Sequence, residues 1–320
     1  MRPTIKLAMH KKIISTFMLT GFLFGSPSIA KELSFTAIGD QPYFSNEAFR
    51  QLITGINQHP RSKFTIHVGD IKNGASVCSD ETFLEVRKLF DGFEKPLVFT
   101  PGDNEWTDCH RASNGSYQQL ERLEKVRSVF FQEGKSLGQQ TLQLQNQSKV
   151  MPKFRAYIEN ARWVNQDILF VTIHQVGSNN NLDQQVPGAI AEYQARNRAN
   201  MAWLNNSFQL AKNKKYAAIV VAMQSDIFDP RVPTESGFKD FIENISKLSA
   251  SFKKPVLLIQ GDSHQYVVDQ PIKNQAGQTL ENVLRLIVPG ASLVEAVEVS
   301  IDTDKKTVQE VFSFSKYSGK

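Results

Sequence analysis

Short apolar runs that stop abruptly at Gly-Asp punctuate this chain. Phe35-Thr36-Ala37-Ile38 ends in Gly39-Asp40, and Phe64-Thr65-Ile66-His67-Val68 ends in Gly69-Asp70. Leu97-Val98-Phe99-Thr100-Pro101 ends in Gly102-Asp103, and Val256-Leu257-Leu258-Ile259-Gln260 ends in Gly261-Asp262. Runs of this length, apolar throughout and closed by a turn signal, predict buried strands. Between them the period changes. Phe49, Leu52, Ile53 and Ile56 mark one face of a helix over 45–58, and Phe83, Leu84, Val86 and Leu89 mark another over 80–92. A polar loop and a helix over 116–132 follow the third strand. A repeat of roughly thirty residues in this order is a βαβαβ run, which predicts a parallel sheet with right-handed crossovers.

The middle of the chain is less regular. Gln-rich 138–148 predicts a loop, 154–158 and 168–174 predict strands, and 177–181 a polar loop. A long helix is expected over 190–212, with Ala199, Trp203, Leu204 and Leu210 apolar. A strand over 216–222 runs into Met223-Gln224-Ser225-Asp226, and a helix over 234–251 precedes the last Gly-Asp. Beyond it, 267–268, 283–288, 293–301 and 307–314 predict successive antiparallel strands. Alternating β and α first, and β-rich sequence afterwards, imply an α/β fold with two packed sheets in one domain.

Composition changes this picture only at the N-terminus. The 320 residues are 41% hydrophobic and 22% charged, as in ordinary soluble globular chains. Of the formal charge of +5, four units come from Arg2, Lys6, Lys11 and Lys12, leaving +1 (5 − 4) for the rest. No basic stripe with interleaved aromatics remains, which argues against nucleic acid as a partner. That basic start precedes an apolar run over 13–24, the breaker Gly25-Ser26-Pro27, and small residues Ser28 and Ala30. The pattern predicts a secretory signal over 1–30, cleaved after Ala30, and a single domain over 31–320 in the periplasm or outside the cell. An uncleaved anchor is the alternative, although a run of about 12 residues is short for a bilayer. No later stretch is apolar enough to span one. Cys78 and Cys109 lie eight and six residues past Asp70 and Asp103. Export permits them to pair as a disulfide bracing loops at one sheet edge; two free thiols are the alternative.

Glycine lets a chain turn sharply, and an Asp after it sits beyond the carboxyl end of its strand, where ligands bind in open α/β sheets. A lone Gly-Asp is more often a cap or turn. Four of them, where the composition gives about one by chance, predict convergence. Clustered carboxylates repel unless a cation neutralises them. The last motif continues to Ser263-His264. The candidate donors are therefore Asp40, Asp70, Asp103, Asp262 and His264, with Asn73, Asn104 and Gln224 as nearby oxygen donors. Such an oxygen-rich set suits Mn²⁺ or Mg²⁺, ahead of Ca²⁺, Fe or Zn²⁺.

These residues resemble the calcineurin-like metallophosphoesterase family. Its motifs run Asp-x-His, Gly-Asp-x-x-Asp/Asn, Gly-Asn-His-Asp/Glu, a lone His, then Gly-His-x-His. The matching stretches here are Asp40-Gln41-Pro42, Gly69-Asp70-Ile71-Lys72-Asn73, Gly102-Asp103-Asn104-Glu105, Gln224 and Gly261-Asp262-Ser263-His264, in that order over about 33–265. The resemblance implies a four-layer α-β-β-α sandwich, with two mixed sheets flanked by helices. It also implies hydrolysis of a small phosphorylated substrate by water activated on divalent metal ions. By that analogy Asp70 bridges two ions, Asp40 and His264 hold one, and Asp103, Gln224 and Asp262 hold the other. Asn73 and Glu105 orient the ligands from behind. The sequence also departs from the pattern. Pro42 cannot bind metal, Asn104 stands where the family keeps its acid His, and Gln224 and Asp262 replace His ligands. His110 and His174 are the candidates to supply the missing acid. His67, inside a strand, reads as a core residue. The same departures imply the alternative, a catalytically inactive protein of this fold that binds a ligand or partner.

Overall fold

The computed structural model describes residues 1, 3, 4, 32–132, 134–231 and 233–319, so the signal expected over 1–30 lies almost wholly outside the described residues. Residues from Lys31 to Lys320 form one compact unit. Its strands are β1 (Glu32–Ile38), β2 (Ser62–His67), β3 (Leu97–Phe99), β4 (Gln145–Asn146), β5 (Ala161–Asn165), β6 (Ile168–Thr172), β7 (Ala218–Ala222), β8 (Val256–Gln260), β9 (Val267–Asp269), β10 (Val283–Ile287), β11 (Ala296–Asp302) and β12 (Phe312–Tyr317).

They form a five-stranded sheet, ordered β12-β11-β1-β2-β3, and a seven-stranded sheet, ordered β4-β5-β6-β7-β8-β10-β9. Strands β1, β2 and β3 are parallel neighbours, so their carboxyl ends share one sheet edge. In the second sheet β6, β7 and β8 are parallel in the same way. The two sheets face each other across Phe35, Phe64, Phe170, Leu257, Leu286 and Val299. Helices Asn46–Gln58, Asp80–Phe90 and Gln119–Phe130 cover the outer face of the first sheet through Phe49, Leu52, Phe83, Phe90 and Phe130. Helices Ala189–Lys214 and Lys239–Phe252 cover the second through Trp203, Phe208, Phe241 and Ile245. Each such side chain withdrawn from water contributes about 1.5–3 kcal/mol. The result is the expected four-layer α-β-β-α sandwich with two mixed sheets.

Three expectations need correction. Residues 154–158 form no strand: Pro152 opens a 3-10 turn over Pro152–Phe154, and the strand begins at Ala161. The apolar residues of 307–314 divide. Thr307 and Glu310 form a capping box that starts a helical turn, Val308–Val311, before β12. The C-terminal strands are not all antiparallel either, since β10 runs parallel to β8 and antiparallel to β9.

Candidate functional site

The Gly-Asp turns bring their carboxylates together. Asp40, Asp70 and Asp262 have φ of 53°, 56° and 71°, a left-handed conformation that Asp tolerates better than most side chains. Glycine permits the close approach between turns. A Cβ on Gly261 would lie 2.4 Å from Asp40 Oδ2, and one on Gly102 would lie 2.1 Å from Asp70 Oδ1. Asp262 N donates to both Asp40 oxygens, at 3.0 and 3.1 Å, and His264 Nε2 is 3.4 Å from Asp40 Oδ1. The end of β1 in one sheet thus meets the end of β8 in the other.

Asp103 completes a second part of the cluster. Its Oδ2 accepts from Ser178 Oγ at 2.6 Å, and the same hydroxyl reaches Asp108 Oδ1 at 2.9 Å. Asp103 Oδ1 is buried without a hydrogen-bond partner. It and Asp262 Oδ1 both face Gly177, lying 2.8 and 2.9 Å from where a Cβ would stand. Asp103, Asp108, Arg111, Ser178, Arg231 and Asp262 help line an adjoining cleft of about 300 Å³.

Asp70 is engaged differently. Its Oδ2 accepts from Tyr43 OH at 2.9 Å, Asn104 Nδ2 at 2.8 Å and Gln224 Nε2 at 3.2 Å, and its Oδ1 accepts from Asn104 N at 3.1 Å. Backbone partners fix both amides. Gly177 N can only donate, so Gln224 Oε1 must face it and Nε2 must face Asp70. Lys72 O can only accept, so Asn104 Nδ2 must face it and Asp70. Glu105 Oε1 accepts from Gly102 N at 2.6 Å and from Asp70 N at 3.3 Å, tying two of the turns together. Asn73 holds its own loop, donating to Tyr43 O and accepting from Ala75 N.

The two histidines expected as acids lie elsewhere. His174 is fully buried, with Nδ1 2.8 Å from Glu159 Oε1 and its ring against Trp106. Burial holds its pKa below the ordinary value despite Glu159. His110 Nδ1 contacts Thr107 O at 2.7 Å, and its side chain lines a separate cavity with Tyr117 and Gln119. Each follows a strand end, but the turn after it directs the ring away from the cleft. Sequence reasoning also missed Tyr43 and Ser178. Tyr43 is only three residues past Asp40, yet a tyrosine in a loop carries no signal of its own. Cys78 and Cys109 form the disulfide and brace the loops after β2 and β3.

Electrostatically the site is crowded with negative charge. Burial, and then repulsion from Asp103 and other carboxylates, holds Asp70 and Asp262 well above the usual carboxylate range. Burial raises Asp40 too, and it pushes Glu105 and Asp108 up to about 7. The nearby positive groups include Lys72, whose own pKa burial lowers, Arg111, which pairs with Asp108, and Arg231, which pairs with Asp229.

A two-ion centre bridged by Asp70 does not fit this arrangement, because four donors already occupy that carboxylate. Among the described residues no group of three or more His, Cys, Asp or Glu side chains is placed to hold a metal ion. Asp103 and Asp262 do offer a free, converging pair of oxygens. Among the same residues no helix is long and apolar enough to cross a membrane.

No family model matches the chain, and no curated protein matches it. Among solved structures it is similar to one described as "GAP50 the anchor in the inner membrane complex of Plasmodium". The identity is 13%, with 90% of this chain and 89% of that chain covered and a TM-score of 0.51. That likeness shows a shared two-sheet α/β architecture over nearly the whole chain.

Proposed function

We propose that this is an exported protein of the calcineurin-like phosphoesterase fold that binds a phosphorylated ligand in its carboxylate cleft without two-metal hydrolysis. The observation that carries the reading is the set of donors around Asp70. Two-metal phosphoryl hydrolysis needs a bridging carboxylate and a hydroxide generated between the ions. Here Tyr43, Asn104 and Gln224 fill the bridging oxygens with neutral N–H and O–H groups. The ligand's phosphate is inferred from Arg111 and Arg231, which line the same cleft paired with Asp108 and Asp229 and are the residue type that suits phosphate oxygens. The anchoring role printed for the similar structure is in keeping with a non-catalytic use of the fold.

A second reading, a metal-dependent phosphoesterase, is favoured by one specific feature, the unpartnered Asp103 Oδ1 facing Asp262. An assay separates the two. The chain from Lys31 onward is tested against phosphomonoesters and phosphodiesters with Mn²⁺, Mg²⁺, Zn²⁺ and Fe²⁺. The binding reading expects no turnover that Asp103→Asn removes. Turnover that depends on Asp103 would establish the enzyme instead.

A further inference from the structure

We infer that the groove between the end of helix Ala189–Lys214 and the β5–β6 hairpin binds a carboxylate with an apolar body, its oxygens on Arg162 and Lys214 and its tail along Val164, Leu169, Leu210 and Tyr216. The groove lies at the amino ends of β6 and β7, away from the Gly-Asp turns at the carboxyl ends, and owes nothing to the carboxylate cleft. A short strand leaves it open. β4 pairs only with Ala161 and Arg162, so β5 is unflanked from Trp163 onward, and Val164 is 43% exposed. The space between these apolar side chains measures about 460 Å³, within the range of small-molecule sites.

Arg162 sets the charge of the occupant. It lines the groove and is only 5% exposed. A buried guanidinium is costly unless an anion answers it. The comparably buried Arg127, Arg196 and Arg285 pair with Glu159, Glu192 and Asp226. Arg162 has no such partner among the described residues. Its Nε donates to Gln145 Oε1 at 3.1 Å, and its Nη1 to Asn206 Oδ1 at 2.8 Å and Ser207 Oγ at 3.4 Å. That leaves Nη2 free, while the Trp203 ring, 4.5 Å from Cζ, holds the guanidinium in place. Burial lowers the Arg162 pKa, and no carboxylate raises it again. Lys214 adds a second cation at the rim, and no Asp or Glu lines the groove. The helix end does not cancel this charge, because its last carbonyls are already engaged. Tyr216 N donates to Ala211 O, Lys215 N to Lys212 O, and Lys254 Nζ to Lys215 O. One free guanidinium nitrogen and one ammonium match the two oxygens and single charge of a carboxylate.

The test is calorimetry on the chain from Lys31 with decanoate, decanol and decyltrimethylammonium, each below its micellar concentration, and with acetate. One decanoate per chain is expected, bound at least ten-fold tighter than decanol or acetate, with no binding of the cation. From hexanoate through octanoate to decanoate, each added CH₂ should tighten binding about two- to four-fold. Val164→Asp, at an exposed position, should weaken decanoate at least ten-fold. Arg162→Gln should bring decanoate to the affinity of decanol, with near-ultraviolet circular dichroism reporting the fold. Should that variant not fold, Val164→Asp and the head-group series decide. Asp103→Asn, in the other cleft, should bind decanoate as wild type does. Equal affinity for decanoate and decanol, a flat chain-length series, several decanoates per chain, or binding that Val164→Asp leaves unchanged would each overturn the inference. So would loss of decanoate in Asp103→Asn, which would put the ligand in the Gly-Asp cleft.

Discussion

At the scale of single residues, His67 shows how a buried polar group positions the site without belonging to it. Gly69 N–H donates to Nδ1 at 3.1 Å, so Nε2 carries the ring proton and donates to Gln41 O at 2.7 Å. One neutral imidazole thereby ties the turn after Asp40 to the turn before Asp70. Burial disfavours the charged ring and lowers its pKa to about 4, although the Gln41 carbonyl works the other way. The unfolded chain takes that proton near 6.5. Between those values the unfolded state binds more protons, so this group's stability is fully present above pH 6.5 and is lost as the pH falls towards 4. The shift corresponds to about 3 kcal/mol. Urea unfolding at pH 7.5 and pH 4 should show wild type losing about that much more stability than His67→Asn. Equal losses would show that the imidazole is not held neutral by the fold.

At the scale of elements, the disulfide Cys78–Cys109 joins the loop after β2 to the 3-10 turn Thr107–His110. Around it, Tyr117 N donates to Cys109 O, and Arg122 Nη1 donates to Cys78 O. The bridge closes a separation of 31 residues, for which the chain-entropy relation gives about 3–4 kcal/mol. Chemical denaturation of Cys78→Ala/Cys109→Ala should show a loss of that size, and a loss under about 1 kcal/mol would mean the loops hold themselves. Elements also mark the limit of what could be read from the chain. Strand ends were legible because apolar runs and Gly-Asp are local signals, and the shared edge of Asp40, Asp70 and Asp103 followed from parallel order, whereas Asp262 joins them only through the packing of the second sheet. Residues 154–158 misled because their apolar character is not matched by a buried face; Arg155 and Ala156 are exposed. The direction of His110 and His174, and the donors Tyr43, Asn104 and Gln224 on Asp70, depend on turn geometry and long-range pairing that no local pattern encodes.

At the scale of the molecule, the cleft is assembled by the packing of one sheet on the other. Asp40, Asp70 and Asp103 come from the first sheet, and Asp262 and His264 follow β8 of the second. What fixes their separation is the inter-sheet core. Phe35 and Phe64 stack with centroids 5.2 Å apart, and Phe170 meets both edge-on at 5.4 and 5.1 Å while stacking on Trp163 at 5.1 Å. Truncating Phe170 leaves a void that a close-packed interior fills poorly, which costs about 3–5 kcal/mol. Because the site straddles that interface, its carboxylates cannot stay in register once the sheets part. Phe170→Ala should therefore unfold at lower urea in one transition, with tryptophan fluorescence, far-ultraviolet circular dichroism and the loss of ligand binding all coincident. A variant that lost the cleft at lower urea than its helical signal would show that the two sheets unfold separately, and that the core between them does not set the geometry of the site.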